Sequence, residues 1–195
     1  MARERKFTRD DLYETTKYML LENGYEGFTF SKLAEKLNVS RGAIYKYFNN
    51  KDELITEFMI YEMNGFLKEL GKINGYDSFD DQLNYLFTLI FKNAYIHQMI
   101  NISKHLLNKK NKKVAENERE LARLHLKMYR LLEDFIQQGK SEGKLKSHLP
   151  DSLILGYIFQ SINIPNHFHI PEEEWYHSLK DMIKYGIFAS GSKKT

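Results

Sequence analysis

Cysteine is absent from this 195-residue chain, and proline occurs only three times, at positions 150, 165 and 171. Without cysteine the chain has neither a disulfide framework nor a thiolate metal site, which suits a reducing compartment. Because all three prolines lie in the last quarter, none of them interrupts a helix in residues 1–149. Strand-like alternation between Asn-Gly or Asp-Gly turns is also missing. These absences predict an all-α fold.

Long apolar runs are missing as well. The charged N-terminus is not followed by the apolar run of a signal peptide. No stretch approaches the roughly 18–20 uninterrupted apolar residues of a membrane span. We therefore expect a cytoplasmic protein without a membrane partner.

Motifs of common enzyme and metal sites do not occur in the sequence. There is no GxSxG nucleophile elbow, no GxxxxGK[ST] phosphate loop and no HExxH zinc motif. Among the seven histidines the only close pair is His167 and His169, in a proline-flanked connection. We expect no catalytic residue, no metal and no cofactor, and hence no enzyme. A helical enzyme whose carboxylates or histidines converge inside a bundle is an alternative that the sequence leaves open.

The net charge is only +3, but the charged residues are unevenly distributed. Residues 1–9 carry a net charge of +3 and residues 28–51 one of +4, whereas residues 10–27 between them carry −4. Basic charge focused on two stretches is the pattern that a phosphate-binding face requires. An ordinary mixed-charge surface explains the same distribution equally well, so charge alone does not decide.

Helix start signals are dense in the first quarter of the chain. The predicted N-caps are Thr8, Thr29, Ser40 and Asn50. Asp11 and Glu53 follow the first and last of these caps by three residues and complete capping boxes. The first helix is predicted to end at Asn23-Gly24. Only a Val-Ser turn separates a helix at 29–38 from one at 41–48, which is the helix-turn-helix arrangement.

The third of these helices has about two turns and would not persist alone, so Ile44 and Phe48 must pack against its neighbours. Its outward positions are then Arg41, Gly42, Ala43, Tyr45, Lys46 and Tyr47. These side chains are small, basic or hydroxyl-tipped, as a helix in the major groove requires. A glycine at position 42 lets backbone approach DNA closely. The alternative is that Gly42 permits close helix–helix packing, and for both tyrosines a packing role stays open.

Residues 24–54, GYEGFTFSKLAEKLNVSRGAIYKYFNNKDEL, resemble the DNA-binding signature of the tetracycline-repressor (TetR) family. That pattern has a Thr opening helix two, an apolar-Ala pair, a Val-Ser turn, Gly-x-apolar-Tyr-x-Tyr/His-Phe, and Lys-Asp/Glu-x-Leu at helix four. The chain departs from it at Asn38, where the family usually has glycine, but asparagine tolerates the same left-handed backbone. The resemblance implies a helix-turn-helix DNA-binding domain at 1–50 and a larger helical ligand-binding and dimerisation domain at 51–195.

The resemblance also implies which residues bind DNA. They are Thr29, Ser40, Arg41, Gly42, Ala43, Tyr45, Lys46, Tyr47 and Lys51. Thr29 and Lys51, at the starts of helices two and four, would bind phosphates with help from the helix N-termini. The two tyrosines would place hydroxyls on phosphate or sugar, residues 41–43 would meet base edges, and Lys46 would contact a phosphate or a guanine. Only the base contacts would specify sequence.

Residues beyond 50 carry a weaker signal. Helices are predicted at 51–70, 78–92, 95–108, 112–140, 150–163 and 172–188. Five aromatic side chains are candidates for an effector cavity: Phe87, Phe91, Tyr95, His125 and Tyr129. Helical spacing alone favours a core role for them. The low charge of the predicted pocket walls favours a largely apolar effector.

The predicted helix at 150–163 is too apolar for a solvent-facing surface, and the last predicted helix has apolar residues along one face. In TetR-like proteins the last two helices form a four-helix bundle with a second subunit. The predicted interface residues are Leu153, Tyr157, Ile158, Trp175, Leu179, Met182 and Ile183. The alternative is that both helices complete a monomer core.

The resemblance to the TetR family therefore implies a ligand-responsive transcriptional regulator that binds a double-stranded, inverted-repeat DNA operator as a homodimer. That it is a repressor is implied by the resemblance alone. The alternative is a helical small-molecule-binding module whose helix-turn-helix does not bind an operator. A gel shift against operator DNA separates the two.

Overall fold

The computed structural model describes residues 7–96 and 111–187. Every regular element with defined bounds in these ranges is helical, which confirms the all-α prediction. The elements are α1 (Arg9–Gly27), α2 (Phe30–Lys36), α3 (Arg41–Tyr45), α4 (Lys51–Leu70), a 3₁₀ helix (Gly71–Gly75), α5 (Phe79–Lys92), α6 (Lys112–Leu131), α7 (Glu133–Ser141), α8 (Asp151–Ser161) and α9 (Glu172–Ile187). The helix predicted at 95–108 lies almost entirely outside the described residues.

The first three helices begin where their capping residues predict. Thr8 and Asp11 form a complete capping box, in which each side chain accepts a hydrogen bond from the other residue's backbone N–H. The Thr29 hydroxyl accepts a hydrogen bond from the backbone N–H of Lys32, and the Ser40 hydroxyl accepts one from the backbone N–H of Ala43. These hydrogen bonds satisfy backbone donors that have no partner within the helix, so local sequence sets where each helix starts.

The start of α4 differs from the predicted capping box. Asn50 Oδ1 accepts from Glu53 N at 2.9 Å, as expected of an N-cap. The Glu53 carboxylate, however, accepts from Asn49 N at 2.9 Å instead of from Asn50 N. The Asn49 side-chain amide donates to the same carboxylate, so this residue supplies two donor groups. The box is therefore shifted by one residue toward α3.

Left-handed backbone occurs at two predicted break points, Gly24 and Asn38, and at Gly143. Gly24 (φ +64°, ψ −174°) is non-helical, so the helical backbone of α1 breaks at Asn23-Gly24 as predicted, and a short helical segment continues beyond the kink to Gly27. Asn38 (φ +51°) adopts the left-handed conformation expected for the α2–α3 turn, and Gly143 (φ +68°) follows α7. These are conformations that glycine and asparagine adopt at low cost.

The long helix predicted at 112–140 is interrupted at one residue. Leu132 (φ −103°, ψ 4°) separates α6 from α7. Its N–H bonds to the carbonyl of Tyr129, three residues earlier, at 3.1 Å. A hydrogen bond of this spacing tightens the turn relative to an α-helix, and the two helices are therefore distinct.

Backbone contacts divide the chain into two compact units. The first comprises the described parts of 1–64 and 95–124, and the second those of 65–94 and 125–195. In the first unit, α1 to α4 enclose a core that includes Leu12, Tyr13, Phe28, Leu33, Ile44 and Phe58. In the second unit, α5 packs against α7, and α8 packs against α9. Phe79 and Phe135 stack there with ring centroids 4.9 Å apart.

Gly139 in α7 provides a test of packing in the second unit. A Cβ at this position would lie 2.4 Å from Phe79 Cε2 and 2.7 Å from Leu145 Cδ1. We expect Gly139→Ala to destabilise the protein by about 1–3 kcal/mol, because overpacking outweighs the gain in helix propensity. Gly65→Ala, at a helical position with no atom within 4 Å of the added Cβ, is the matched control. Thermal unfolding should show a lower Tm for the first variant only; equal Tm values would contradict the packing described here.

Candidate nucleic-acid interface

A tight turn joins α2 to α3. Val39 N donates to Ala34 O at 2.9 Å and Asn38 N donates to Glu35 O at 3.0 Å, while Asn38 takes the left-handed backbone described above. The two helices pack against each other, with Leu33 and Ile44 fully buried. This is the geometry of a helix-turn-helix motif, in which the second helix is held by the first.

One side of α3 faces the core and the other faces solvent. Ile44 is fully buried, and Phe48, just beyond the helix, is 6% exposed. The exposed residues of this segment are Arg41, Gly42, Tyr45, Lys46 and Tyr47, and Ala43 is half-buried. The residues predicted to meet DNA are therefore on one accessible surface, which we call the recognition surface (residues 40–47).

Gly42 is not required for packing within the chain. A Cβ built at this position would contact only Ser40 Oγ, at an ordinary 3.8 Å. The alternative that Gly42 permits close helix–helix packing is therefore wrong within the described residues. The bare backbone faces solvent, where it is accessible to a partner.

The two tyrosines of the recognition surface pack on one side and remain accessible. Tyr45 meets Phe30 edge-on, with ring centroids 5.1 Å apart, and Tyr47 meets Phe7 in the same way at 6.1 Å. Tyr45 is nevertheless 47% exposed and Tyr47 49%. The Arg41 guanidinium carbon lies 5.8 Å from the Tyr45 ring centroid. Packing orients these side chains without removing them from the surface.

Lys51 has an intramolecular role that its sequence position did not reveal. Its ammonium donates to the Tyr25 carbonyl at 2.9 Å and lies 3.8 Å from the centroid of the Tyr25 ring. The Tyr25 hydroxyl donates to Asp52 at 2.7 Å. The first turn of α4 thus holds the end of α1. A phosphate contact by Lys51 stays a prediction, since an ammonium has three donors and one is already engaged.

The charges around the recognition surface are partly paired. The Lys36 ammonium lies 3.6 Å from the Glu22 carboxylate, and this ion pair offsets the positive charge of Lys36. Among the described residues no ion pair involves Arg41 or Lys46. Positive charge is therefore available on α3 itself, where base edges and phosphates would be met.

The five predicted effector residues fall into separate groups. Phe87 and Phe91 stack in α5, and both contact Tyr176 of α9, with centroids at 6.3 and 4.8 Å. His125 and Tyr129 pair on α6 at 5.1 Å. His125 is exposed at the surface, and partial desolvation by its neighbours lowers its pKa, which favours the neutral form. Tyr176 was missed by the sequence analysis, because its aromatic contacts are made by residues distant in the chain.

Tyr95 belongs to the first unit and not to the unit that contains the other four residues. Its hydroxyl donates to Glu62, and the Lys17 ammonium lies 3.5 Å from its ring centroid. Burial, together with the bond to Glu62, raises the pKa of Tyr95. These contacts give Tyr95 a role in joining α1 to α4.

The predicted interface residues on α8 and α9 divide by exposure. Ile158, Leu179 and Ile183 are buried within the single chain, at 0–2% exposed, and Trp175 is half-buried. Of the predicted residues, Leu153 (58% exposed), Tyr157 (43%) and Met182 (57%) are accessible; Tyr185 of α9 (84%), which the sequence did not predict, is exposed as well. We call these four the α8–α9 surface. The buried residues hold the two helices together, and contact of the α8–α9 surface with a second chain stays a prediction.

The described residues contain no group of three or more His, Asp or Glu side chains placed to hold a metal ion. Nor does any helix in residues 7–96 and 111–187 have the length and apolar character needed to cross a bilayer. The chemistry concentrated on α3 is that of a helix-turn-helix DNA-binding protein, with a supported helix that exposes basic, hydroxyl and bare-backbone groups.

Known proteins resemble this chain most clearly in its helix-turn-helix segment. Residues 12–58 match the family described as "Bacterial regulatory proteins, tetR family". An uncharacterized HTH-type transcriptional regulator of Haemophilus influenzae is 33% identical over 63 residues, which span 32% of this chain and 34% of that protein. The fatty acid metabolism regulator protein of Bacillus subtilis is 23% identical over 150 residues, 74% of each chain. In its helix-turn-helix segment the chain is therefore similar to bacterial regulatory proteins of the tetR family.

A solved structure extends the likeness in fold beyond the DNA-binding segment. The crystal structure of a transcriptional regulator FadR from Bacillus subtilis, in complex with stearoyl-CoA, superposes with a TM-score of 0.67 at 19% identity. The superposition covers 92% of this chain and 100% of that one. The helical fold after α4 is therefore shared with a regulator of this type.

Gly42 provides a test of the recognition surface. We expect Gly42→Ala to leave Tm unchanged or raise it, because alanine favours an exposed helix by up to about 1 kcal/mol. DNA affinity should fall about tenfold, because the methyl group intrudes where backbone meets a base pair. Gly65→Ala is the control, since it should raise helix propensity without changing affinity. Calorimetry measures the Tm of each variant, and fluorescence anisotropy measures its affinity for DNA. If Gly42→Ala bound DNA as tightly as the wild-type protein, the close approach of the Gly42 backbone to DNA would be contradicted.

Proposed function

We propose that the protein is a cytoplasmic transcriptional repressor and not an enzyme. It binds an inverted-repeat DNA operator as a homodimer and releases it on binding a small, largely apolar effector. The observation that carries this proposal is the recognition surface: α3 is anchored by Ile44 and presents an unpacked glycine among basic and hydroxyl side chains. The DNA-binding module comprises residues 1–50, and residues 51–195 provide effector binding and dimerisation.

Each DNA-binding residue has a role in the proposed complex. Residues 41–43 meet base edges, and Lys46 contacts a phosphate or a guanine. Thr29, Ser40 and Lys51 lie at the starts of α2, α3 and α4, where backbone N–H groups favour phosphate. The two tyrosines of α3 add hydroxyl contacts to the DNA backbone. Phosphate contacts then set the register, and the base contacts select the sequence.

The need for a dimer follows from the small number of base pairs that one recognition helix can contact. A helix as short as α3 contacts only a few base pairs, which is too little to select one site among ~10⁶ or more competitors. A two-fold dimer doubles the contacts and places two recognition helices about 34–36 Å apart, or a multiple of this. The α8–α9 surface supports such an assembly, since it exposes four large apolar side chains that a symmetry-related copy would cover.

Leu153→Glu tests the dimer and the operator together. At a two-fold contact both chains would bury the new carboxylate, and burying an unpaired charge is costly. We therefore expect this variant to sediment as a monomer at micromolar concentration. It should also lose affinity for DNA selected from a random pool by the wild-type protein, and that DNA should contain an inverted repeat. Leu126→Glu is the matched control, because Leu126 on α6 is 60% exposed but lies outside the α8–α9 surface. The proposal fails if the wild-type protein selects no DNA sequence, or if a monomer binds the selected site tightly.

The part of the effector that this chain recognises is proposed to be a long apolar acyl chain, such as the one that an acyl-CoA carries. The Bacillus subtilis regulator of similar fold is described as a complex with stearoyl-CoA. In this chain the second unit brings Phe87, Phe91 and Tyr176 together, and also places Tyr129 6.5 Å from Phe159 between ring centroids. Such aromatic groups with little charge suit an apolar ligand. Free of an effector, the same groups pack as core.

Stearoyl-CoA is the probe that tests this proposal. Micromolar stearoyl-CoA should release the wild-type protein from its selected DNA, whereas free coenzyme A should not. Phe91→Ala should weaken the response, because it removes a ring that contacts Tyr176. Tyr76→Ala, which removes an exposed aromatic of the same unit, should respond as the wild type does. DNA release by coenzyme A alone, or no release by any long-chain acyl compound, would reject a long-chain acyl effector.

A further inference from the structure

The carboxylate of Glu53 joins two segments that are far apart in sequence. It accepts hydrogen bonds from Asn49, two residues after the recognition surface (residues 40–47), and from Asn111, which precedes α6. We propose that Glu53 is a positioning residue for α3, and that Asn111 acts on the recognition surface through it. This inference rests on the proposed DNA-binding function, but it concerns residues to which the resemblance assigns no role. In the Lys-Asp/Glu-x-Leu pattern, Glu53 occupies the unspecified position.

The contacts of Glu53 exceed those of an ordinary helix cap. Asn49 donates its backbone N–H to the carboxylate at 2.9 Å, and its side-chain amide approaches both oxygens at 3.0 and 3.1 Å. The Asn111 side-chain amide donates at 2.7 Å. Glu53 is only 4% exposed. A carboxylate so buried is stable only when N–H groups replace its water, and this site provides those groups from both segments.

The bonding pattern requires an ionised carboxylate. Burial alone would raise the pKa of Glu53, but the hydrogen bonds from Asn49 and Asn111 and the nearby positive charge of Lys113 hold it below its ordinary value. Because every neighbouring contact comes from a donor, the site favours the charged form, which only accepts hydrogen bonds. A neutral amide in its place would direct its own donors toward other donors.

Asn111 is itself fixed to the start of α6. Its Oδ1 accepts from Lys113 N at 2.8 Å and from Val114 N at 3.2 Å, so the side chain caps α6 with one atom and binds Glu53 with the other. A buried bond from Asn117 to Thr56 at 2.9 Å follows at the next turn. The start of α6 is thus held in one register on α4. Any displacement of Asn111 acts directly on the acceptor that holds Asn49.

The reciprocal pair of substitutions Glu53→Gln and Asn111→Asp tests the proposal. Asn111→Asp keeps the oxygen that caps α6 but places a carboxylate against that of Glu53. Glu53→Gln keeps the shape of the side chain but presents an amide N–H group to the donors of Asn49 and Asn111. Each single variant should shift the Asn49 backbone amide resonance and weaken operator binding, by about tenfold for Glu53→Gln. The double variant restores a donor–acceptor pair with its direction reversed, and it should recover most of the affinity.

Glu57→Gln is the matched control. Glu57 lies one turn further along α4 and pairs with Arg9 at 3.1 Å and Lys113 at 3.3 Å. It should leave the Asn49 resonance and operator affinity close to their wild-type values. An Asn49 resonance that does not respond to Asn111→Asp would overturn the proposal, as would a lower Tm for Glu53→Gln with unchanged operator affinity. If the wild-type protein bound no operator, the proposed function would fail, whereas the Asn49 resonance would still report the Glu53 contact without DNA.

Discussion

The burial of Ile44 and Phe48 is the constraint on which the DNA-binding part of the structure depends. Helix α3 spans only five residues, and an isolated helix of this length does not form in water. Ile44 is fully buried among residues of α1, α2 and α4, so the fold supplies the stability that α3 lacks. Since α3 is held from one side only, its other side is free of packing requirements. That freedom explains how Gly42 is accommodated in a helix.

Local features of the first unit were predictable from the sequence because they depend on residues close together in the chain. The caps formed by Thr8, Thr29 and Ser40 each involve a residue three positions away. The left-handed turn at Asn38 follows from the same local chemistry. The predicted bounds of α4 and α5 were similarly close to those observed, because a polar N-cap residue precedes each helix, Asn50 for α4 and Ser78 for α5.

The contacts that connect distant segments could not be predicted. Lys51 was expected to be available for phosphate, but it engages a carbonyl 26 residues earlier. Glu53 was expected to cap a helix locally, but it also binds a side chain 58 residues away. Tyr95 was grouped with Phe87 on composition, although its hydrogen-bond partner is Glu62. Helical periodicity identifies which residues face inward, but it does not show which helix they meet. The same limit explains why Ile158 and Met182, both apolar, differ so much in exposure.

The accessible α8–α9 surface has a consequence for how the protein would respond to its own abundance. In the proposed homodimer, two chains must meet before the operator is occupied. At concentrations below the dimer dissociation constant, the number of dimers varies with the square of the number of chains, by mass action. A small change in synthesis or degradation then produces a larger change in operator occupancy. The size of the apolar contact on α8 and α9 would therefore set the cellular concentration at which the gene changes from expressed to silent.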